Sequence, residues 1–164
     1  MPSRLLSKHE MEMIDSLSIR FRPIAEAILI RADDRCRDED VEIMLVYGRR
    51  TMQQQLELYS QGRKLVDPRG SALDAKNWIQ IGRVITRALP GDSAHNFGEA
   101  IDIAIIEGHG QERHWAHDAD PRWSTIIGAA ATEEGMEWGG RWPRFPDRAH
   151  VQHPKWREAR GDGS

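Results

Sequence analysis

Ser93-Ala-His95-Asn-Phe-Gly98-Glu-Ala100-Ile-Asp102-Ile-Ala-Ile-Ile106 is the stretch on which the reading of this chain turns. From Ala100 onward it is a short, isoleucine-rich run of the kind that forms a buried strand. His95 and Asp102 stand seven residues apart. On a straight helix that spacing means ~10.5 Å of rise, too far for the two side chains to share one ion. A bend at Gly98, feeding a strand from Ala100, instead brings both side chains to one point. Taken alone, such a pair is more often a surface or capping contact than a metal site.

Working outward, Val41-Glu-Ile-Met-Leu-Val46 lies between an acidic run and Gly48 and reads as a second strand. Helical segments are predicted before it at 8–19 and 21–32. Pro23 suits a first helical turn, and Ile24, Ala27, Ile28 and Ala32 supply an apolar stripe. Thr51 is placed to cap a helix through about Ser60, with Leu56 and Tyr59 inward and Gly62 as its stop. Residues 63–92 are interrupted by Pro and Gly, with a short helix expected near 74–86. Residues 107–120 read as a polar, solvated loop carrying His109, His114 and His117. Pro121 opens a helix to about Glu134, ended by Gly135, and 137–153 is turn-rich with a short extended segment near 149–152. Helices around a few separated strands predict an α+β fold with a small, mainly antiparallel sheet.

The 164 residues suit one domain, expected over 1–164 with a core from about 20 to 156 and a frayed tail at 160–164. A net charge of −3 argues against nucleic-acid binding, since Arg141, Arg144 and Arg148 form only a local basic patch. Cys36 is the sole cysteine, so neither an internal disulfide nor a thiolate-rich metal site is available. Residues 1–10 lack the pattern of a secretory signal, and no apolar run approaches the ~20 residues that span a bilayer. The expectation is a soluble protein without membrane insertion. Trp138, Trp142 and Trp156 gather near the C-terminus, where large amphipathic rings either line a groove or pack a core.

Asp147-Arg-Ala-His150 supplies a third candidate ligand, His150. A carboxylate three residues before a metal-bound imidazole can reach the water on the same ion and act as its base. Two imidazoles and one carboxylate suit zinc, which keeps a fourth position open in catalytic sites. His153 is the rival to His150. If this segment is a strand, the odd spacing puts the two rings on opposite faces, which favours His150. His114 with His117 is a weaker alternative pair, and His9 reads as a surface residue.

Ser93-Ala-His95-Asn-Phe-Gly98-Glu-Ala100-Ile-Asp102 resembles the S-x-H-x-x-G-x-A-x-D signature of the D-alanyl-D-alanine and L-alanyl-D-glutamate zinc metallopeptidases. Glu137-Trp-Gly-Gly-Arg-Trp142 followed by Asp147-Arg-Ala-His150 is similar to the second signature of that family. Gly48-Arg-Arg50-Thr, with Gln55, Leu58, Tyr59 and Gly62-Arg63, is similar to its upstream arginine motif. The resemblance spans roughly residues 45–153. It implies the fold shared by these peptidases and hedgehog-type domains, with zinc on His95, Asp102 and His150. It further implies that Asp147 is the catalytic base, with Glu137 the alternative. Arg50 rather than Arg49 would face the developing oxyanion, and Ser93 and Trp138 would contact substrate. The implied activity is hydrolysis of stem-peptide bonds in bacterial peptidoglycan, foremost L-alanyl-D-glutamate. The alternatives are a D-alanyl-D-alanine carboxypeptidase or dipeptidase and a non-catalytic zinc-binding module. By analogy with compact phage endolysins, the chain is expected to be a monomer that collects in the host cytoplasm and reaches the wall with a partner holin.

Overall fold

The structure, a computed structural model, describes residues 4–161. Helix α1 (Lys8–Ser16) starts at a capping box in which Ser7 and Glu10 each accept the other's backbone N–H. Glu10 is buried, pairs with Arg4, and also accepts the Leu45 N–H at 3.1 Å. One carboxylate thus starts the helix and pins it to the sheet. Helix α2 (Arg22–Arg35) carries Pro23 in its first turn and buries Ala25, Ile28, Leu29 and Ala32. That stripe is rotated from the expected one, leaving Ile24 and Ala27 half-buried at its margin. Strand β1 (Val41–Tyr47) follows, then α3 (Met52–Ser60), which begins at a second capping box between Thr51 and Gln54. Gln55 and Tyr59 are its buried residues, with Leu56 only partly so.

The helix expected near 74–86 does not form. Strands β2 (Arg63–Leu65) and β3 (Trp78–Gln80) pair as a separate antiparallel ribbon, and one 3₁₀ turn (Ala75–Asn77) precedes β3. Ile79, Ile81 and Ile85 are exposed, so a helix here would have no core face to bury and nothing to hold it.

Strand β4 (Ala100–Glu107) is central, followed by β5 (His114–Trp115), α4 (Ala116–Ala119), α5 (Pro121–Glu133), β6 (Glu137–Trp138) and β7 (His150–Gln152). The sheet order is β1-β4-β7-β6, with β5 also on β4, and every pairing is antiparallel. Ile101, Ile103 and Ile105 of β4, Ile43 and Leu45 of β1 and Val151 of β7 belong to one core with Phe21, Ile28, Leu29, Trp123 and Ile127. Ile14 and Leu17 join that core, so the packed unit begins before residue 20. By strand alternation Asp102, His150 and Gln152 point to the opposite face.

Two further expectations change. His117 is fully buried rather than solvated, and its Nδ1 accepts the Ile105 N–H at 3.2 Å. Arg160, the first residue of the expected frayed tail, instead ends a 3₁₀ turn (Trp156–Arg160) and pairs with Asp92 at 2.6 Å, while Trp156 stacks on Phe97 at 6.1 Å. Residues 162–164 of the expected tail lie outside the described residues. Among the described residues no helix is long and apolar enough to cross a membrane.

Gly98 makes the bend before β4. Its φ is +68°, and an added Cβ would lie 2.7 Å from the Ser18 nitrogen and 2.9 Å from the Arg49 guanidinium. Gly98→Ala should therefore lower unfolding free energy by about 1–3 kcal/mol, the usual cost of a strained backbone conformation. Equilibrium denaturation measures it, and an unchanged midpoint would remove the strain argument.

Candidate active site

Three elements converge on one point. Ser93 caps the 3₁₀ turn Ala94–Phe97 by accepting the His95 N–H at 3.3 Å, and Gly98 redirects the chain from that turn into β4. Asp102 and His150 are paired directly across β4 and β7, which places neighbouring side chains ~5 Å apart at Cβ. His95 Nε2 lies 3.3 Å from Asp102 Oδ2, and His150 Nδ1 lies 3.4 Å from Oδ1. One donor atom from each residue falls within 4.8 Å of the other two.

The set fits a metal ion. Asp102 Oδ1 is buried without a hydrogen-bond partner, an arrangement that is costly unless a cation answers it. His95 Nδ1 lies 2.8 Å from the Gly48 carbonyl, which only accepts. That nitrogen therefore carries the hydrogen, and the Nε2 lone pair faces Asp102. His150 Nε2 lies 2.8 Å from Gln152 Oε1. Two imidazoles, each held from behind, together with a carboxylate suit zinc in a catalytic site.

Charge divides the two carboxyls. Burial pushes the Asp102 carboxyl up, but the two imidazoles beside it, His95 foremost, outweigh burial and hold it well below the usual range. For Asp147, burial first and the Asp102 charge second keep the pKa above its ordinary value, against the pull of His150 and His95. One permanent anion beside one proton-accepting carboxyl is the division of labour that acid–base chemistry requires. His150 loses affinity for a proton through burial and regains more from Asp102 and then Asp147, for a net upward shift.

Arg49 and Arg50 diverge. Arg49 donates to the carbonyls of Ser16, Asn96 and Phe97, tying α1 to the turn that carries His95. Arg50 turns toward the cluster, with one guanidinium nitrogen 3.8 Å from Asp102 Oδ2 and another donating to Gln55 at 2.9 Å. Gln55 is fully buried and donates in turn to the Ala88 carbonyl at 2.7 Å. Arg50, Ser93, Asp147 and Trp142 line an open cleft of about 1020 Å³ that includes the three donors. A separate, smaller pocket is lined by Asp102, Asp147, Trp115 and His117.

Trp138, expected at the substrate, is not among the lining residues. Its ring packs against the core, where a Cβ on Gly128 would meet it at 2.4 Å, and its indole donates to the Arg148 carbonyl. Trp142 lines the cleft instead, tilted over His150 at 4.9 Å. Glu137 has both oxygens engaged, by Trp142 and Gln152. His153 lies outside the three-donor cluster, its Nδ1 accepting the Lys155 N–H, and His114 is exposed. Sequence reading passed over the Gly48 carbonyl and Gln152. The second was detectable as the residue two beyond His150 on the same strand face.

Residues 87–153 match the family model described as D-alanyl-D-alanine carboxypeptidase, one of the M15 peptidases. The peptidoglycan L-alanyl-D-glutamate endopeptidase CwlK of Bacillus subtilis (strain 168) is 30% identical over 120 residues, which is 70% of this chain. The chain spans 62% of that relative's length. The crystal structure of the Serratia marcescens L-Ala D-Glu endopeptidase ChiX shares the fold, with a TM-score of 0.58 and 20% identity over 94% of this chain and 92% of that one. The matched residues carry the signature segments that fold about the single donor cluster, and over them the chain is similar to the M15 peptidases.

Proposed function

We propose that this protein is a zinc-dependent peptidoglycan peptidase that cleaves the L-alanyl-D-glutamate bond of stem peptides, with His95, Asp102 and His150 as ligands. The observation that carries the reading is the convergence of these three donors with Asp147 and Arg50 in one open cleft. An open cleft of about 1020 Å³ with the three donors in its lining suits cleavage within a peptide better than a closed pocket for a terminal residue would. The described activity of the relative CwlK supports the same bond. A non-catalytic zinc module would have no use for a raised Asp147 or for Arg50 aimed at the cluster.

Zinc, when bound, acidifies a water and polarises the scissile carbonyl. Asp147 takes the proton of the attacking water, for which its raised pKa suits it, and passes it to the leaving amine. Arg50, held by Gln55, presents a fixed cation to the oxyanion. Ser93 holds the His95 turn in place.

The sequence reading of a monomeric, phage-type lysin is part of the proposal. Host cells expressing the chain should lyse only when a holin is co-expressed, and lysis without one counts against that part.

Asp147→Asn should keep zinc and lose about 10²–10⁴-fold in turnover on peptidoglycan, whereas lost zinc would make Asp147 a ligand. Arg50→Ala should raise the barrier by about 2.7–4 kcal/mol with metal content unchanged, and a larger loss in Arg49→Ala would reverse the assignment. Mass spectrometry of the digest should find new N-terminal glutamate. Released free alanine would favour the carboxypeptidase alternative.

Zinc affinity should also depend on pH. The metal needs the His150 Nδ1 lone pair, and the raised pKa means a proton competes for it from higher pH than for a free imidazole. Apparent affinity should therefore fall as pH drops, starting at higher pH than for a site built on free imidazoles. Competition titration with a chelator checks this, and a flat profile would rule it out.

A further inference from the structure

We propose that Gln152 and Glu137 are positioning residues that set which nitrogen of His150 is offered to the metal, an inference that rests on His150 being a ligand. Glu137 and Gln152 lie directly opposite each other across β6 and β7. Gln152 Nε2 donates to Glu137 Oε2 at 3.0 Å, and the Trp142 indole N–H donates to Glu137 Oε1 at 2.7 Å. Gln152 Oε1 lies 2.8 Å from His150 Nε2.

The direction of each bond follows from what the groups can do. A carboxylate accepts only, and an indole N–H donates only. Glu137 therefore turns the NH₂ of the Gln152 amide toward itself, which leaves the amide oxygen facing His150. That oxygen accepts only, so the hydrogen must sit on His150 Nε2, and the Nδ1 lone pair is left facing Asp102. His95 reaches the opposite tautomer because its outer partner, the Gly48 carbonyl, meets Nδ1. His150 is 6% exposed and Gln152 8%, so little water competes for these bonds. Position 152 needs one planar group that both accepts from an imidazole and donates to a carboxylate, and a side-chain amide meets both demands. Trp142 has two tasks here, anchoring Glu137 and covering the His150 ring.

Reversing the chain tests this without removing it. In Glu137→Gln, two amides meet, Gln152 turns its NH₂ toward His150, and the ring is driven to the Nδ1–H tautomer that blocks the metal. In Gln152→Glu, two carboxylates face each other. In the double variant Glu137→Gln with Gln152→Glu, the new carboxylate accepts from both His150 and the new amide, whose oxygen accepts from Trp142. All three bonds return. The readouts are zinc affinity by chelator competition and the His150 tautomer of the metal-free protein by ¹⁵N NMR, at a pH where the ring is neutral.

Glu137→Gln should bind zinc about 10–100-fold more weakly, the usual effect of losing an outer-shell partner, whereas Gln152→Glu keeps an acceptor on His150 Nε2 and should retain the Nε2–H form. Glu137→Gln should show the Nδ1–H form, and the double variant should recover both the Nε2–H form and most of the affinity. A Glu137→Gln variant with parental tautomer and affinity overturns the proposal, as does a folded double variant that binds no better than Glu137→Gln. If a single variant fails to fold, comparison of the double variant with the parent decides: near-parental affinity supports the proposal and a 10–100-fold deficit overturns it. A parent protein that binds no zinc would overturn the ligand assignment instead.

Discussion

The antiparallel register of β7 on β4 is the constraint on which the rest depends. Ala100 faces Gln152, Ile101 faces Val151 and Asp102 faces His150. Ile101 and Val151 are fully buried in the core, so a slip of one residue would put their neighbours there instead. Burying Asp102 and His150 among the isoleucines would cost far more than any pairing returns. The hydrophobic face thus holds the polar face in register. A bulge between Leu45 and Tyr47 in β1 brings Tyr47 opposite Asp102, so the same centre is framed from the other edge.

The polar face is a set of buried groups that mostly satisfy one another. His117, on the far side of β4 from β1, shows the ordinary outcome: it is buried and accepts the Ile105 N–H. Asp102 differs, because one of its oxygens has no hydrogen-bond partner and both face imidazoles. The contrast between these two buried groups separates a structural histidine from a metal-ready cluster better than residue type does. Cys36 makes the same point for thiols. Burial, with Asp33 and Glu39 nearby, pushes its pKa up to about 11, which keeps it protonated and unreactive.

Where sequence reading went astray, long-range packing was the reason. The 74–86 segment has isoleucines enough for a helix but no neighbouring surface to receive them, so a short ladder with β2 prevails. Trp138 follows Glu137 in a two-residue strand and meets Gly128 of α5, whose missing side chain makes room for the indole. Trp142, four residues on, emerges into the cleft. Spacing along the chain cannot distinguish two tryptophans whose fates depend on a glycine in another helix.

The amino-acid sequence by itself determined the local elements and the identity of the candidate donors. The β-branched runs at 41–47 and 100–107, the caps at Ser7 and Thr51 and the bend at Gly98 act within a few residues, where backbone sterics and hydrogen bonding decide. The α+β class followed from them. Only the tertiary structure decided which of Arg49 and Arg50 approaches the donor cluster, the burial of His117, and the tautomers of His95 and His150. Each depends on a partner far along the chain: Ser16 and Asn96 for Arg49, Ile105 for His117, Gly48 for His95, and Glu137 acting through Gln152 for His150. A hydrogen bond is specified by distance and direction in space, and for these pairs no sequence spacing encodes either one.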